Sequence, residues 1–567
     1  MGFPNVQRLS IMSEISSGAR TDAGAPLEEQ GRAVVPAEAR ERASAPPAVR
    51  RAPWWVDVLL FVALFAAALP LRFAITRGDL WLDEADYAFA AARGFQANRW
   101  DISDYPKDPD KLIAQRHYHP PCIAYMVALA LHFSPEDRAL RVPAVLIGAL
   151  TVPLVYLCGL ALCGGRRSPA VAAAVLLLVA PAHLRASSHA LPWSFLIFWL
   201  MLLVWTLLKY VETRREGWLV GGCAALGGMF VTSEVFFPTL LASAYVTPFL
   251  FWPAIQEADR RKRILIALGC GALVFLAIVW ALWPAGLHGD AMKMLRHYMA
   301  MSHDPWPANV RGRLYLHAPK WAYLYWYEHD YRPFFVCYSL GVLAVLVLLA
   351  RRQLTAGMAV LLVFTAIILL TAHAAHIIGP EYLVHALPLL SLVAGLFVLP
   401  VARWQPVYGA AVAAAVCLTV LLWHPAQSLS GMDPRSQRPR WPLAARFLAT
   451  QWQPVDQMLA PAYGIPARWY LLHVARVPAR PWQIEALPDS GARDPFLHDI
   501  CSGAYRYVAV GNTFLDTPSI DPRIAKVIRT WPVLWQSNEH GTGPSRLTIY
   551  KLPHGVTSHH PLPMPKN

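Results

Sequence analysis

Gly78-Asp79-Leu80-Trp81-Leu82-Asp83-Glu84-Ala85-Asp86-Tyr87 follows the first long apolar segment of the chain, residues 54 to 73, and opens an Ala/Tyr/Phe-rich run that continues to Ala92. Adjacent carboxylates so close to a segment of spanning length lie within reach of a membrane surface, where a charge needs a cavity or a partner. An acidic pair ahead of an alanine-rich run is also how an ordinary helix begins, with an N-cap and negative charge at the positive end of the dipole. The rest of the chain decides between the two.

Of 567 residues, 56% are hydrophobic and 15% charged, and the mean hydropathy is +0.35. That composition is far from a soluble globular one and points to many membrane spans. The net charge of +14 comes from Lys and Arg in short clusters between apolar segments, the distribution of the positive-inside rule, so no nucleic-acid partner is implied. The eight Cys lie mostly inside apolar segments without CxxC spacing, which indicates neither a zinc site nor a disulfide framework. Residues 1–52 are rich in Ala, Pro, Glu, Ser and Arg, lack apolar periodicity and end near Arg50-Arg51; they read as a disordered cytoplasmic tail. No apolar h-region sits near Met1, so a cleavable signal peptide is not expected.

Apolar segments of spanning length occur at 54–73, 141–163, 168–183, 191–211, 217–232, 235–254, 264–285, 333–350, 355–373, 383–401 and 405–424, about eleven transmembrane helices. Pro120 to Phe133 is too short to cross a core of roughly 30 Å at about 1.5 Å per residue, and reads as an interfacial helix in the first outer loop. Alternate loops then carry Arg166-Arg167, Lys209 with Arg214-Arg215, Arg260 to Arg263, Arg351-Arg352 and Arg403, all on the side of the Arg-rich tail, as the positive-inside bias requires. The opposite face collects residues 74–140, 183–192, Thr232-Ser233-Glu234, 286–332, 373–382 and the C-terminal region. Every polar motif of the chain falls on that face.

From residue 425 onward, apolar runs give way to Pro, Arg, Gln and Asp. Strand-like Val455 to Ala460, Tyr507 to Gly511, Val533 to Ser537 and Leu547 to Leu552 alternate with helix-like Ile465 to Val474 and Arg523 to Trp531, the pattern of a small extracytoplasmic α/β domain. The expected organisation is thus a tail (1–52), a transmembrane domain (53–424) and an extracytoplasmic domain (425–567).

The opening stretch, with Trp81 ahead of Asp83-Glu84, resembles the first-loop signature of the GT-C glycosyltransferases, which use polyprenyl-phosphate sugars and include protein O-mannosyltransferases and the aminoarabinose transferases of lipid A. His119-Pro120-Pro121 resembles the His/Lys-Pro-Pro motif that follows their acidic pair. Arg141-Val142-Pro143 through Gly148-Ala149-Leu150-Thr151 resembles the opening of their second span; by itself Arg141 reads as a residue snorkelling to headgroup level. His317-Ala318-Pro319-Lys320-Trp321-Ala322-Tyr323 and Glu381-Tyr382 through Pro388 resemble later elements, although Glu381 stands where the family usually has Arg. Two Arg that the family carries in the next outer loop are missing from Ser187-Ser188-His189-Ala190, leaving Arg185 or His189 as displaced substitutes. Glu234 stands where relatives often show Lys.

The resemblance implies a mostly α, polytopic GT-C fold in the inner (plasma) membrane and a membrane-embedded active site on the extracytoplasmic face. It implies that Asp83 is the base that takes the proton of an acceptor hydroxyl, with inversion at the anomeric carbon, and that Glu84 orients the acceptor or a metal. His119, Arg116, Arg311, Arg313, His317, Glu381 and Tyr382 would line the donor phosphate and substrate, cations offsetting phosphate charge. His303 lies about where the aminoarabinose transferases keep a metal-binding His, which implies a divalent ion such as Mg, Mn or Zn. Partners would be the polyprenyl-phosphate sugar, membrane lipids and a lipid, glycan or protein acceptor. A transporter or flippase also has many spans, but it would place ionisable residues near mid-membrane and often show internal repeats; few charges lie within the spans, and no repeat is evident. A non-catalytic sensor of the same fold is the remaining alternative.

Overall fold

The computed structural model describes residues 53–76, 79–80, 82–97, 120–134, 136–233, 236–255, 257–292, 295–296, 308–310, 313–315, 322–374, 384–431, 441–460, 464–479, 483–485, 500–511, 522–537 and 547–553. These are mostly helical. Among the described residues, five helical segments are long and apolar enough to cross a membrane: Trp54–Ile75, Asp137–Leu162, Trp193–Thr213, Ala258–Leu282 and Val384–Trp404. Shorter apolar helices include Cys122–Phe133, Arg167–Val179, Gly217–Phe230 and Ala356–Thr371. Their buried faces form one large core that includes Leu64, Val155, Leu177, Leu200, Phe364 and Leu389.

One expected span is divided by a proline. The segment 168–183 is not one helix but two, Arg167–Val179 and Pro181–Ala186. Ala180 is extended (φ −61°, ψ 119°) because the ring of the following proline disfavours helical backbone at the residue before it. Helix Val142–Leu162 packs closely on Arg167–Val179, since a Cβ on Gly159 would stand 2.8 Å from Ala170 Cα. Small residues at such crossings let backbones approach and add dispersion contacts, the main attraction between helices in lipid.

The ends of the helices that carry the basic clusters touch one another. Arg167 binds Asp57 near the start of the first helix through Nε (2.6 Å) and its terminal nitrogen (2.9 Å), and Tyr156 donates to the same carboxylate at 2.6 Å. Arg166 donates to the Ala402 carbonyl at 2.6 Å, Arg403 to Gln353 at 3.3 Å and Arg263 to Glu216 at 3.2 Å.

The C-terminal part carries a five-stranded mixed sheet in the order β4-β3-β5-β7-β6, built from β3 (Met458–Leu459), β4 (Ile484–Glu485), β5 (Tyr507–Gly511), β6 (Val533–Gln536) and β7 (Leu547–Lys551). A separate antiparallel pair joins β1 (Ala308–Val310) and β2 (Arg313–Tyr315). Strand β3 runs parallel to β4 and β5, while β7 is antiparallel to both β5 and β6. Four of the five strands fall where apolar alternation predicts them; Ile484–Glu485 is too short to carry that signal. Alternation along β5 sends Tyr507 and Ala509 to one face and Val508 and Val510 to the other. The second face packs on helix Pro522–Arg529 through Ile524 and Ile528. The first face shares a core with Trp441, Trp469 and Tyr470, and also with Leu80, Ala85, Phe89, Ile123 and Leu140, which lie between the first two spanning helices or at their ends. That shared core seats the C-terminal segment directly on the acidic stretch.

Candidate active site

Helix Leu82–Ala97 begins one residue before Asp83, so Asp83 and Glu84 occupy its first turn, where negative charge is favoured by the helix dipole. Glu84 is wholly buried. Arg141, also wholly buried, grips it with both ends of the guanidinium: Nε donates to Oε1 at 2.7 Å and a terminal nitrogen to Oε2 at 2.8 Å. The Ala190 N–H donates to the same Oε1 at 2.9 Å. Bidentate Arg–carboxylate pairs are the strong, directional kind, and burial without a partner would cost each ion several kcal/mol.

Arg141 does more than pair with Glu84. It also donates to the Asp79 carbonyl at 2.8 Å and to the Thr76 carbonyl at 3.3 Å, joining the end of the first helix to the start of the second. The snorkelling position expected for Arg141 is therefore corrected. With a carboxylate and two orphan carbonyls beside it, the guanidinium gains more from charge-assisted hydrogen bonds inside than from headgroup water. Gly148, in the same helix, has a packing reason: a Cβ there would collide with Ser187 Cβ. Its absence lets the segment 181–190 come close enough for Ala190 to reach Glu84.

Segment 181–190 is the loop in which the expected Arg pair is missing, and its polar groups are largely turned on the protein. His183 is fully buried, with Nδ1 2.8 Å from a terminal nitrogen of buried Arg72. Arginine only donates, so Nδ1 accepts and the ring proton sits on Nε2. His189 Nδ1 lies 2.6 Å from the Arg185 carbonyl, which engages it locally, while the Arg185 side chain is exposed.

Helix Cys122–Phe133, which follows the His-Pro-Pro motif, buries Ile123, Val127 and Ala128 and exposes Leu129 and Phe133. Its Cys122 N–H reaches the Val231 carbonyl at 3.3 Å, and Tyr125 donates to the Leu282 carbonyl at 2.7 Å, so two other helix ends meet here.

On the other side, the C-terminal segment holds residues 79 and 80. The Trp441 N–H, first of helix Trp441–Ala449, donates to Asp79 Oδ2 at 2.7 Å, so Asp79 satisfies an orphan donor at that helix start as an N-cap would. The buried Tyr470 hydroxyl accepts from the Leu80 N–H at 2.6 Å and donates to Asp137 Oδ2 at 2.6 Å. Burial first, then the nearby Asp137 and Asp79 charges, raise the Tyr470 hydroxyl well above the ordinary tyrosine range, so it stays protonated and able to donate.

Of the expected site residues, the structure fixes the side chain of Glu84 alone. Asp83 is placed by its helix and Arg313 by β2; His119, Arg116, Arg311, His317, Glu381, Tyr382 and His303 lie outside the described residues, as does Glu234. Among the described residues, no group of three His, Cys, Asp or Glu is placed to hold a metal. Both Glu84 oxygens are engaged by the protein, which leaves this carboxylate poorly presented to an ion. Arg141, Asp79, Asp137 and Tyr470 are the participants that sequence reasoning missed. For Arg141 a signal existed, an Arg directly ahead of an apolar span in a chain whose facing loop holds an acidic pair. For Tyr470, 390 residues from its partner Leu80, there was none.

Residues 118–283 match the family described as dolichyl-phosphate-mannose-protein mannosyltransferase. Among solved structures, ArnT from Cupriavidus metallidurans in the apo state is similar at 14% identity and a TM-score of 0.57, covering 89% of this chain and 99% of that one. The same protein bound to undecaprenyl phosphate gives 13% identity, with the same score and coverage. The S. cerevisiae Pmt1-Pmt2 complex bound to the sugar donor is similar over 42% of this chain and 34% of that one, at 19% identity and a TM-score of 0.33. No curated protein sequence matches.

Proposed function

We propose that this chain, a membrane protein with the GT-C glycosyltransferase fold, moves a sugar from a polyprenyl-phosphate donor to a lipid, glycan or protein hydroxyl, with inversion at the anomeric carbon and Asp83 as base. The observation that carries the reading is the Arg141–Glu84 pair. It fixes the first turn of helix Leu82–Ala97 and thereby the backbone of Asp83, and a base must be held within hydrogen-bond reach of the proton it takes. The ArnT structure with undecaprenyl phosphate supports a polyprenyl-phosphate donor.

In this reading Glu84 has a holding role. Asp83 takes the acceptor proton as the hydroxyl oxygen bonds to the anomeric carbon and the lipid phosphate departs with the electron pair of the broken bond. His119, Arg116, Arg311, Arg313 and His317 are the candidate cations for the departing phosphate, together with exposed Arg185 on the loop that reaches Glu84; Glu381 and Tyr382 are candidate substrate contacts. Whether His303 holds a divalent ion is decided by chelation followed by add-back of Mg, Mn or Zn.

The domain division at residues 52 and 424, the count of about eleven spans and an extracytoplasmic site in the inner membrane belong to the same proposal. Reporter fusions after Arg167, Arg215, Arg263 and Arg352 are expected to read cytoplasmic, and fusions near Pro109, Ala308 and Gly431 external, from the alternation of basic loops. An external signal at Arg215 would overturn the topology.

The function itself is tested by incubating the purified protein in lipid vesicles with a radiolabelled polyprenyl-phosphate sugar and an envelope extract. Label moving into lipid, glycan or protein supports transfer. Label carried across the bilayer without a new covalent product would instead identify a flippase. Mass spectrometry of envelope glycolipids with and without the gene narrows the acceptor.

A further inference from the structure

We infer that Tyr470 and Asp79 are positioning residues, through which the C-terminal segment sets the geometry of the acidic turn; the inference rests on the reading of Asp83 as base. Residues 79–84 are held from two directions. From the membrane side Arg141 binds the Asp79 carbonyl and Glu84. From the C-terminal side the Tyr470 hydroxyl accepts a hydrogen bond from the Leu80 N–H and donates one to Asp137, and Trp441 donates its N–H to the Asp79 carboxylate.

The two sets of bonds are independent, because Arg141 acts on a carbonyl and a side chain, whereas the C-terminal residues act on an amide and a different side chain. Together they hold both ends of the short connection between Thr76 and helix Leu82–Ala97. Helix Leu82–Ala97 also leans on the same C-terminal elements, where Phe89 meets Trp469 edge-on at 5.5 Å and His473 at 5.2 Å between ring centroids. Tyr470 is wholly buried and its hydroxyl is satisfied in both directions. The contact thus orients as well as attaches: a hydroxyl between an amide and a carboxylate fixes where residue 80 sits. Since misplacement of a catalytic group by about 1 Å can cost as much as a hundredfold in rate, a segment that merely covered the site would not need these bonds, whereas one that aims Asp83 would.

The test uses the full-length chain in detergent or vesicles, with Tyr470→Phe, Asp79→Ala and Asp79→Asn. Tyr470→Phe keeps the ring and removes the hydroxyl that bridges Leu80 and Asp137. It is expected to lower kcat about tenfold, to leave donor KM and the thermal midpoint close to wild type, and to speed amide hydrogen exchange in peptides covering residues 79–90. Asp79→Ala should behave alike, and Asp79→Asn, which keeps an oxygen to accept the Trp441 N–H, should recover most of the lost turnover. Unchanged exchange at 79–90 in Tyr470→Phe overturns the inference, whatever the activity. So does faster exchange with wild-type turnover, or a turnover loss that only follows the fraction unfolded. The underlying reading fails separately, through Asp83→Asn, because the exchange measurement does not depend on which residue is the base.

Discussion

Asp83→Asn is expected to leave expression, detergent stability and donor-lipid binding near wild type while reducing sugar transfer about a hundredfold or more, the usual contribution of a general base. Asp83 lies in the first turn of helix Leu82–Ala97, where Asn keeps the size of the side chain and loses only its interaction with the helix dipole, typically about 0.3–1 kcal/mol, so folding should not confound the measurement. What Asn lacks is the ability to accept the proton of an acceptor hydroxyl. Single-turnover transfer from a radiolabelled donor is the direct readout. Retention of more than about a tenth of wild-type turnover would return Asp83 to a structural role, and Asp86 would be the next carboxylate to try.

Removal of either member of the Arg141–Glu84 pair should act through the fold instead. Both side chains are wholly buried, and taking one partner from a buried pair leaves an uncompensated charge at a cost of about 3–5 kcal/mol. Arg141→Met is therefore expected to lower the thermal midpoint sharply and to reduce the yield of monodisperse protein, with transfer falling in parallel. Glu84→Gln keeps one oxygen for the Ala190 N–H but loses the charge opposite Arg141, so it too should destabilise, and by more than Asp83→Asn. The double variant Glu84→Gln/Arg141→Met should recover part of the loss, since a neutral pair of similar volume leaves no buried ion. A Glu84→Gln protein that melts like wild type yet transfers no sugar would assign Glu84 to the chemistry and refute its holding role.

Much of this protein is legible in its sequence, and particular residues show why. The apolar segments stand out because about twenty apolar residues are needed to cross a bilayer, and the basic clusters from Arg166 to Arg403 lead to the topology proposed above because orientation follows Lys and Arg in short loops. The acidic turn and the His-Pro-Pro motif stand out because polar groups are rare in such a chain. The strands at 507–511 and 547–551 were readable from alternation, since one residue in two must face a core.

What the sequence by itself determined is therefore everything set by local spacing: a polytopic helical chain, an acidic pair at the start of a helix, and a C-terminal segment of mixed strands and helices. Only the tertiary structure decided what Glu84 faces and what holds residues 79 and 80. It buried Glu84 against Arg141, 57 residues away, and tied Leu80 and Asp79 to Tyr470 and Trp441, 390 and 362 residues away. Such pairings leave no periodicity in the chain, because a hydrogen bond depends on where two backbones meet in space, and that is set by packing, such as the close approach that Gly148 allows, rather than by the identity of neighbours in sequence.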